Sequence, residues 1–509
     1  MSDVAGAPAA PEKLFDATLT RLAIVVVLGT IMSVLDTTIV NVALNVLARD
    51  FKASVDQIQW VSTAYLLALA MVIPLSGWSI ERFGAKPVWM TSLTLFLVGS
   101  VLCGLSWNIE SLIAFRFLQG LGGGLILPVG QTILARQAGP QRMGRVLSVI
   151  GVPTLLGPIL GPVIGGLIVT HFSWRWIFYV NVPIGVIALL CSVRFLPRGG
   201  RLEQPGRLDT LGVALLSPGL ALLVYGLSQM GGSAGLTGTP VLVGVGLGLL
   251  FIAGFVLHAL RVPDPLLDVR LFSHRGFAIA NGTTFALGAA LFGAMFLLPL
   301  YYQTVRGQTP LMAGLLMAPQ GIGAACMMPV AGRISDRAGP RTVVPLGMVL
   351  VIVGTLPFCF VTPHTSEALL GFTLFIRGIG LGLAMMPTIA AAYQAVEHAA
   401  IPRATTMINI VRQVGGSVGI AILAVVLQVQ IEAHFPGSSG SLSTVSGGPI
   451  PPVAAQGLAE AFARSFWWAI GISVAGLVVT LFLPKNPAAA RSGHGPAPVT
   501  SVPAPLPEL

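Results

Sequence analysis

The stretch "GWSIERFGAKP" (residues 77–87) recurs in altered form as "GRISDRAGPR" (332–341). Each copy has a Gly, then an acid followed by Arg, a second Gly, and a basic or Pro-containing turn. A second pair accompanies the first, since "RFLQGLGGGLILP" begins at Arg116 and "RGIGLGLAMMP" at Arg377. In each pair the second copy lies about 260 residues after the first. Two motifs repeated in the same order predict a chain built from two related halves.

Composition places both halves in a membrane. The chain has 509 residues, of which 54% are hydrophobic and only 9% charged, whereas a soluble domain carries about 25% charged residues. The 61 Gly and 37 Pro are compatible with membrane helices, in which both are common. A net charge of +10 could indicate a nucleic-acid binder, but the basic residues are not clustered. We therefore expect a lipid bilayer and no nucleic acid as partners.

The apolar segments predict fourteen transmembrane helices. A span needs about 20 mostly apolar residues. With the N-terminus placed in the cytoplasm, twenty of the 28 Lys and Arg residues lie in inner segments, five in outer segments and three within helices. This bias is the positive-inside rule, and we call the inner side of the membrane the basic side. Both repeat offsets then equal eight helices, so two six-helix bundles flank two inserted helices.

This topology divides the chain into five parts. No G-x-x-x-x-G-K-[ST] phosphate loop is present, so ATP bound to this chain is not the expected energy source. No cofactor is expected, and no catalytic or metal site is predicted. The parts are a cytoplasmic tail (1–20), an N-terminal bundle (21–200), inserted helices 7 and 8 (201–265), a C-terminal bundle (266–485) and a disordered cytoplasmic tail (486–509).

The chain resembles the major facilitator superfamily, specifically its fourteen-helix drug:proton antiporter branch. Four motifs stand in order: "LDTTIVNVAL" in helix 1, "GWSIERFGAKP" after helix 2, "RFLQGLGGG" in helix 4 and "GVPTLLGPILGPVIGG" in helix 5. "SWRWIFYVNVPIG" at helix 6 and "RQVGGSVGIAI" in helix 13 are also similar to that branch. The chain departs from the family pattern at Glu81, where Asp is usual, and at Ala85, where Arg is common.

Asp36 is the candidate proton-coupling residue, because it is the one acid of the 18 that lies well inside a predicted span. It sits ~22 Å into helix 1, and Arg116 lies ~9 Å below the outer face, at a similar depth. Ionisable residues within a membrane are functional candidates. A cationic substrate could compete with a proton for this carboxylate, and the resemblance implies the same role. A structural role, satisfying backbone or a fixed Arg, is the alternative for Asp36 and Arg116.

The loop after helix 2 and its repeat predict a latch between the cytoplasmic ends of the halves. Glu81 and Arg82 would carry its charges, and the glycines would allow close approach and a tight turn. An ordinary short basic loop is the alternative. The predicted gating loop comprises Gly77, Glu81, Arg82, Gly84, Lys86, Asp336 and Arg337.

Helix 5 carries glycines four residues apart, and hence on one face. Small residues at this spacing allow two helices to approach closely, and the prolines beside them remove backbone hydrogen bonds and bend the helix. A static packing seam explains the glycines alone, whereas the prolines favour a moving contact between the halves. In the resembled family this is the antiporter signature. The residues are Gly157, Pro158, Gly161, Pro162, Gly165 and Gly166.

The functional prediction is a secondary active transporter, not an enzyme, that exports amphipathic or cationic small molecules in exchange for protons. A proton-coupled exporter of a dedicated endogenous substrate (lipid, siderophore, peptide or antibiotic) is the alternative, and a passive channel or a membrane-embedded transferase are alternatives of another class. Arg412 is a candidate charge in the cavity, with an anionic group, a lipid headgroup or backbone carbonyls as its partner. We expect a bacterial plasma membrane, and a monomer is compatible with the sequence.

Overall fold

The computed structural model describes residues 17–138, 143–197, 206–230, 238–435 and 452–484, and every regular element in these ranges is helical. The α-helices are α1 (Ala17–Asp50), α2 (Val55–Val72), α3 (Ser76–Phe83), α4 (Ala85–Gly104), α5 (Ile109–Ala138), α6 (Met143–His171), α7 (Trp176–Tyr179), α8 (Asn181–Phe195), α9 (Thr210–Gln229), α10 (Thr239–Ala259), α11 (Arg275–Leu300), α12 (Pro310–Ala338), α13 (Pro340–Thr355), α14 (Glu367–Gln394), α15 (Ile401–His434) and α16 (Pro452–Thr480).

Short 3₁₀ and π segments join several of these helices into longer spans. The turn Ile73–Leu75 links α2 to α3, and Tyr301–Val305 extends α11. Among the described residues, thirteen helical segments are long and apolar enough to cross a membrane. The 29-residue α6 lies where the fifth span was predicted. The predicted all-helical membrane fold is confirmed.

The sequence repeat has a structural counterpart in two tight turns. Gly84 ends α3 and begins α4 with φ 88° and ψ 156°. Gly339 ends α12 and begins α13 with φ 83° and ψ 158°. This region of backbone space is essentially open only to glycine. The second glycine of each motif is therefore required by the same turn on the basic side of both halves.

Glycines also set the close packing of neighbouring spans in both halves. A Cβ on Gly99 of α4 would lie 2.6 Å from the Cα of Gln119 on α5. In the C-terminal half, a Cβ on Gly354 of α13 would lie 2.6 Å from the backbone N of Arg377 on α14. Because only hydrogen fits at these points, each arginine-bearing helix lies against its neighbour almost backbone to backbone.

The inserted helices α9 and α10 form a close pair. A Cβ on Gly226 would lie 2.6 Å from the backbone N of Val245, so the two backbones approach without intervening side chains. Helix α9 also contacts α2 of the N-terminal half and α15 of the C-terminal half. The inserted pair therefore packs against both halves and does not stand apart from them.

Asp209 caps α9 on the basic side. Its Oδ1 accepts a hydrogen bond from the Gly212 amide at 2.8 Å and its Oδ2 from the Leu266 amide at 3.1 Å, while His258 Nε2 lies 2.8 Å from Oδ1. Burial alone would raise the pKa of this carboxyl, but the hydrogen bonds from Gly212, His258 and Leu266 hold it below its usual value. The resulting stabilisation is present above the ordinary pKa of Asp and is lost as pH falls through the lowered one.

Replacing Asp209 with Ala tests this cap. At neutral pH the change should destabilise the cap by about 1 kcal/mol. Hydrogen exchange of the Gly212 and Leu266 amides should then accelerate by about five-fold. Asp209→Asn is the matched control for the Gly212 amide, because its side-chain oxygen can still accept from Gly212 while its NH2 group cannot accept from Leu266. Unchanged exchange in the Ala variant would show that the cap contributes no stability.

Parts of the predicted domain division lie outside the described residues. These are most of the N-terminal tail, the boundary at 200–201 and the C-terminal tail 486–509. Helix α1 begins at Ala17, four residues before the predicted start of the first bundle. The boundary at 265–266 falls between α10 and the 3₁₀ turn Val269–Ser273, and the division stays a prediction.

Candidate functional site

The carboxylate of Asp36 is fully buried within the N-terminal half. Its Oδ2 accepts a hydrogen bond from Arg116 Nη1 at 2.6 Å. Its Oδ1 accepts two more, from Gln119 Nε2 and Asn181 Nδ2, each at 2.9 Å. Asp36 lies on α1, Arg116 and Gln119 on α5, and Asn181 at the start of α8. Three helices therefore meet at one carboxylate.

Arg116 is held by further acceptors besides the carboxylate. Its Nη1 also donates to Gln119 Oε1 at 2.8 Å, and its Nε donates to the Val61 carbonyl at 3.2 Å. The guanidinium lies 4.2 Å from the ring centroid of Tyr65, a cation–π contact in a dry site. Removing one partner of such a buried pair leaves an uncompensated charge and costs about 3–5 kcal/mol. In this conformation the Asp36–Arg116 ion pair is therefore strongly stabilised.

The donors around Asp36 fit its ionised form. An ionised carboxylate only accepts hydrogen bonds, whereas a protonated one must donate one. Three donors already point at its two oxygens, and Asn181 is itself fixed by a 3.0 Å bond to Ser100 Oγ. A proton can therefore reach Asp36 only after α1, α5 and α8 shift or water enters. The carboxylate therefore ties α1, α5 and α8 together.

Gln119 and Asn181 were not predicted as site residues, although both lie inside the motifs quoted from helices 4 and 6. The available signal was a polar side chain within an apolar span. Gln119 is also three residues after Arg116, and residues at this spacing share a helix face. Both side chains are buried, with 0% and 1% of their surface exposed. They belong to the site on the same grounds as Arg116.

Arg377 occupies the corresponding place in the C-terminal half and has no acid beside it there. Its Nη1 donates to Gln320 Oε1, its Nη2 to the Ala290 carbonyl at 2.9 Å and its Nε to Thr355 Oγ1 at 3.1 Å. These acceptors are all neutral, and no ion pair of Arg377 occurs in the described part of the chain. Both halves therefore carry the repeated arginine, but among the described residues only that of the N-terminal half pairs with a carboxylate.

A second polar cluster joins the two halves on the basic side. Glu81 of α3 accepts from Arg403 of α15 in a bidentate pair, with Nε to Oε1 at 3.0 Å and Nη2 to Oε2 at 3.0 Å. Glu81 is 4% exposed and Arg403 22%. A planar guanidinium matches a carboxylate in this geometry. Arg403 was not predicted as a site residue, and the structure pairs it with Glu81.

Three other polar contacts also join the two halves. Ser76 Oγ is 2.7 Å from Thr406 Oγ1, and Asn409 Nδ2 donates to Gln131 Oε1 at 2.7 Å. Ser148 Oγ donates to the Met328 carbonyl at 3.0 Å. All these residues belong to the halves of their helices that end on the basic side. The structure therefore describes a conformation in which the halves are joined on the basic side. We call these three contacts, together with the Glu81–Arg403 ion pair, the latch.

The other residues of the predicted gating loop differ in their contacts and in their exposure. Gly77 faces the latch, since a Cβ there would lie 3.0 Å from Thr406 Oγ1 and 3.3 Å from the Cα of Arg403. Lys86 Nζ donates to the Val193 and Leu196 carbonyls of its own half, each at 2.8 Å. Arg82, which was predicted to carry a latch charge, is exposed, and its role stays a prediction. Arg337 is exposed and Asp336 half-buried near the end of α12.

The glycine face of α6 packs against α1 within the N-terminal half, while α6 also contacts α12 and α14 of the C-terminal half. Cβ atoms on Gly157 and Gly161 would collide with Val34 and Thr38 of α1, and one on Gly165 would lie 3.2 Å from the Ile39 carbonyl. Only hydrogen leaves room for α1 at these positions. Gly166 has open space beside it. Pro158 and Pro162 lie within α6, and their side chains are outside what the structure describes.

Arg412 borders a small cavity in the C-terminal half, with room for about one water molecule. Its Nη2 donates to Asn409 Oδ1 at 2.9 Å, the same Asn409 that contacts Gln131 across the latch. The lining comes from α11, α14 and α15. It includes Thr284, Leu287, Leu291, Leu381, Met385 and Arg412.

Comparison with known proteins gives these sites a family context. The sequence model described as the Major Facilitator Superfamily matches residues 26–420. The "Multidrug resistance protein B homolog" of Mycobacterium tuberculosis is 40% identical over 96% of this chain and 94% of its own length. The "Putative multidrug resistance protein MdtD" of Yersinia enterocolitica is 31% identical over 80% of this chain and 86% of its own length.

Solved structures agree on the fold. The proton:xylose symporter XylE superposes with a TM-score of 0.63 at 14% sequence identity, over 92% of this chain and 96% of that one. The human organic anion transporter MFSD10 gives a TM-score of 0.59 at 16% identity, over 90% and 100% of the two chains. With the family model matching most of its length, this chain belongs to the Major Facilitator Superfamily and is a membrane transporter, not an enzyme.

Proposed function

We propose that this transporter exports amphipathic small molecules, cationic ones among them, from the cytoplasm in exchange for protons. The basic side would face the cytoplasm of a bacterial cell, with both termini there and the protein in the plasma membrane. The names of the multidrug-resistance relatives support drug-like substrates. The proton motive force would supply the energy, and no cofactor would be needed.

The observation that carries the proposal is the buried Asp36 carboxylate with donors from two helices besides its own. Its ionised form is held by Arg116 in the conformation joined on the basic side. Protonation of Asp36 would weaken its ion pair with Arg116 and release α1 from α5. The N-terminal half would then favour a different arrangement of its helices. Each proton moved inward makes available ~2.3 kcal/mol per 100 mV of membrane potential.

The latch supports alternating access as the transport cycle. It joins the halves on the basic side while Asp36 is ionised, so substrate would be released on the opposite side in this state. A cycle would then open the latch after Asp36 binds a proton. Of the two repeated arginines, Arg116 and Arg377, only Arg116 pairs with an acid among the described residues, and we propose Asp36 as the principal proton site.

Purified protein in proteoliposomes tests this proposal directly. With an imposed pH gradient, a fluorescent lipophilic cation should be transported against its own gradient, and its addition should dissipate the pH gradient in proportion. Both signals should disappear together when a protonophore equalises the pH. Transport that only follows the dye gradient, with no proton movement, would contradict proton coupling.

A further inference from the structure

Asn409 is a buried link between Arg412 and the latch. Its side chain on α15 is 3% exposed, and that of its partner Gln131 on α5 is 2% exposed. The Asn409 Nδ2 donates to Gln131 Oε1 at 2.7 Å and to the Thr405 carbonyl at 2.9 Å. Its Oδ1 accepts from Arg412 Nη2 at 2.9 Å. A single amide therefore joins an intramembrane arginine of the C-terminal half to the N-terminal half.

The chemistry of its neighbours fixes which way this amide points. A guanidinium only donates hydrogen bonds, so Arg412 can be met by the Asn409 oxygen and not by its NH2 group. If the amide were turned over, its oxygen would face the Thr405 carbonyl and its NH2 group would face the guanidinium. Buried polar groups left unpaired in this way are costly. Arg412 and the Thr405 carbonyl therefore select the same orientation, in which Asn409 donates across to Gln131.

The positive charge of Arg412 also strengthens the contact between the halves. Hydrogen bonds from an ionised donor are roughly twice as strong as neutral ones, and hydrogen bonds in a chain polarise one another. Among the described residues no carboxylate pairs with Arg412, and its side-chain hydrogen bond goes to Asn409. Because the guanidinium draws electron density toward the Asn409 oxygen, the Asn409 N–H becomes a better donor to Gln131.

Arg412 connects the latch with the middle of the membrane. It lies 11 residues beyond the start of α15, or ~16 Å from the basic-side end of that helix, in a hydrocarbon core about 30 Å thick. Gln131 lies on α5, the helix that also carries Arg116. The helix that binds the Asp36 carboxylate is therefore held by Asn409 from the other half.

We propose that Arg412 is a positioning residue for the latch, because it holds the Asn409 amide in the orientation that donates to Gln131 of the other half. The inference rests on the proposed alternating-access function and deepens it, since it assigns control of opening on the basic side to an arginine within the membrane. Without this arginine the Asn409 amide is free to turn away, and the halves separate more readily. The ion pair Glu81–Arg403 remains, so the latch is loosened and not abolished.

Pulsed electron paramagnetic resonance on the full-length protein in nanodiscs tests this role. Spin labels on cysteines at the exposed positions of Arg82 and Arg337, in a background lacking the native cysteines, report how often the halves are joined. Arg412→Gln should raise the ratio of separated to joined molecules by about 2- to 10-fold, the factor to which one neutral buried hydrogen bond corresponds. A glutamine presents either a donor or an acceptor and no longer fixes Asn409, whereas Arg412→Lys keeps a charged, donor-only group and should restore most of the joined population.

A double-mutant cycle separates positioning from a general structural role. Asn409→Leu and Gln131→Leu each remove the amide contact directly, so adding Arg412→Gln to either should separate the halves no further. Asn281→Leu is the matched control, a buried amide of α11 whose Nδ2 donates to the Phe277 carbonyl of its own helix. It should leave the distances unchanged.

Two results would overturn the proposal, in protein that elutes and unfolds like the wild type. One is an unchanged distance distribution in Arg412→Gln, and the other is a full additional effect of Arg412→Gln in the Asn409→Leu background. Should Arg412→Gln fail to fold, Arg412→Met repeats the cycle with a side chain that neither fixes nor competes for the Asn409 amide. The distances are recorded without a proton gradient, so a loss of proton coupling in Asp36→Asn and a failure of this role give different results.

Discussion

Asp36→Asn is expected to abolish uphill export while leaving an inserted, folded protein. The amide cannot bind and release a proton in the working pH range, so the substrate flux loses its coupling to the proton gradient. The loss should stay below the about 3–5 kcal/mol of an unpaired buried charge. The Asn oxygen can still accept from Arg116, which also keeps Gln119 and the Val61 carbonyl as acceptors. Arg377 shows that this fold can bury an arginine on neutral acceptors alone.

The measurement is substrate-evoked proton movement in proteoliposomes, compared with downhill counterflow of the same substrate. Asp36→Asn should lose the proton signal and uphill accumulation but retain counterflow. Asp50→Asn is the matched control on the same helix. Its Oδ2 accepts a 2.6 Å bond from Trp174 Nε1, which an amide oxygen can also accept. The control should keep coupled export, whereas undiminished coupled export by Asp36→Asn would exclude the assigned role.

Depth along a helix could be predicted from the sequence, and this is why the central pair was found. Counting residues placed Asp36 and Arg116 at a similar level, and the structure brings them to 2.6 Å. The turn glycines Gly84 and Gly339 were also recognisable, because a repeated glycine after an acid–arginine pair marks one backbone conformation.

Rotation about the helix axis and pairing between halves could not be predicted in the same way. Gly157 and Gly161 form one face in any helix, but only the packed structure shows that this face meets α1. Arg403 lies 322 residues from Glu81, and many basic residues on that side were equally plausible partners. Long-range partners depend on how whole bundles dock, which a residue spacing does not encode.

Glu81→Gln is expected to loosen the latch and shift the protein toward conformations open on the basic side. The bidentate ion pair would become at best one hydrogen bond from the Arg403 guanidinium to a neutral amide oxygen. The lost stabilisation of about 1–3 kcal/mol corresponds to a shift of about 5- to 150-fold. Arg82 and Arg337 are exposed on that side in different halves. Spin labels on cysteines at these two positions, in a background lacking the native cysteines, would report the separation by pulsed electron paramagnetic resonance.

In the wild type these labels should give mainly one short distance, and Glu81→Gln should add a longer one together with a several-fold loss of uphill export. Lys86→Gln is the matched control in the same loop, because Lys86 contacts only carbonyls of its own half and should leave the distances unchanged. Exchanging the charges, with Glu81→Arg and Arg403→Glu together, should restore part of the short distance, since the attraction depends on opposite sign and not on which half carries it. Identical distance distributions for the wild type and Glu81→Gln would mean that Ser76–Thr406, Gln131–Asn409 and Ser148–Met328 hold the halves without the ion pair.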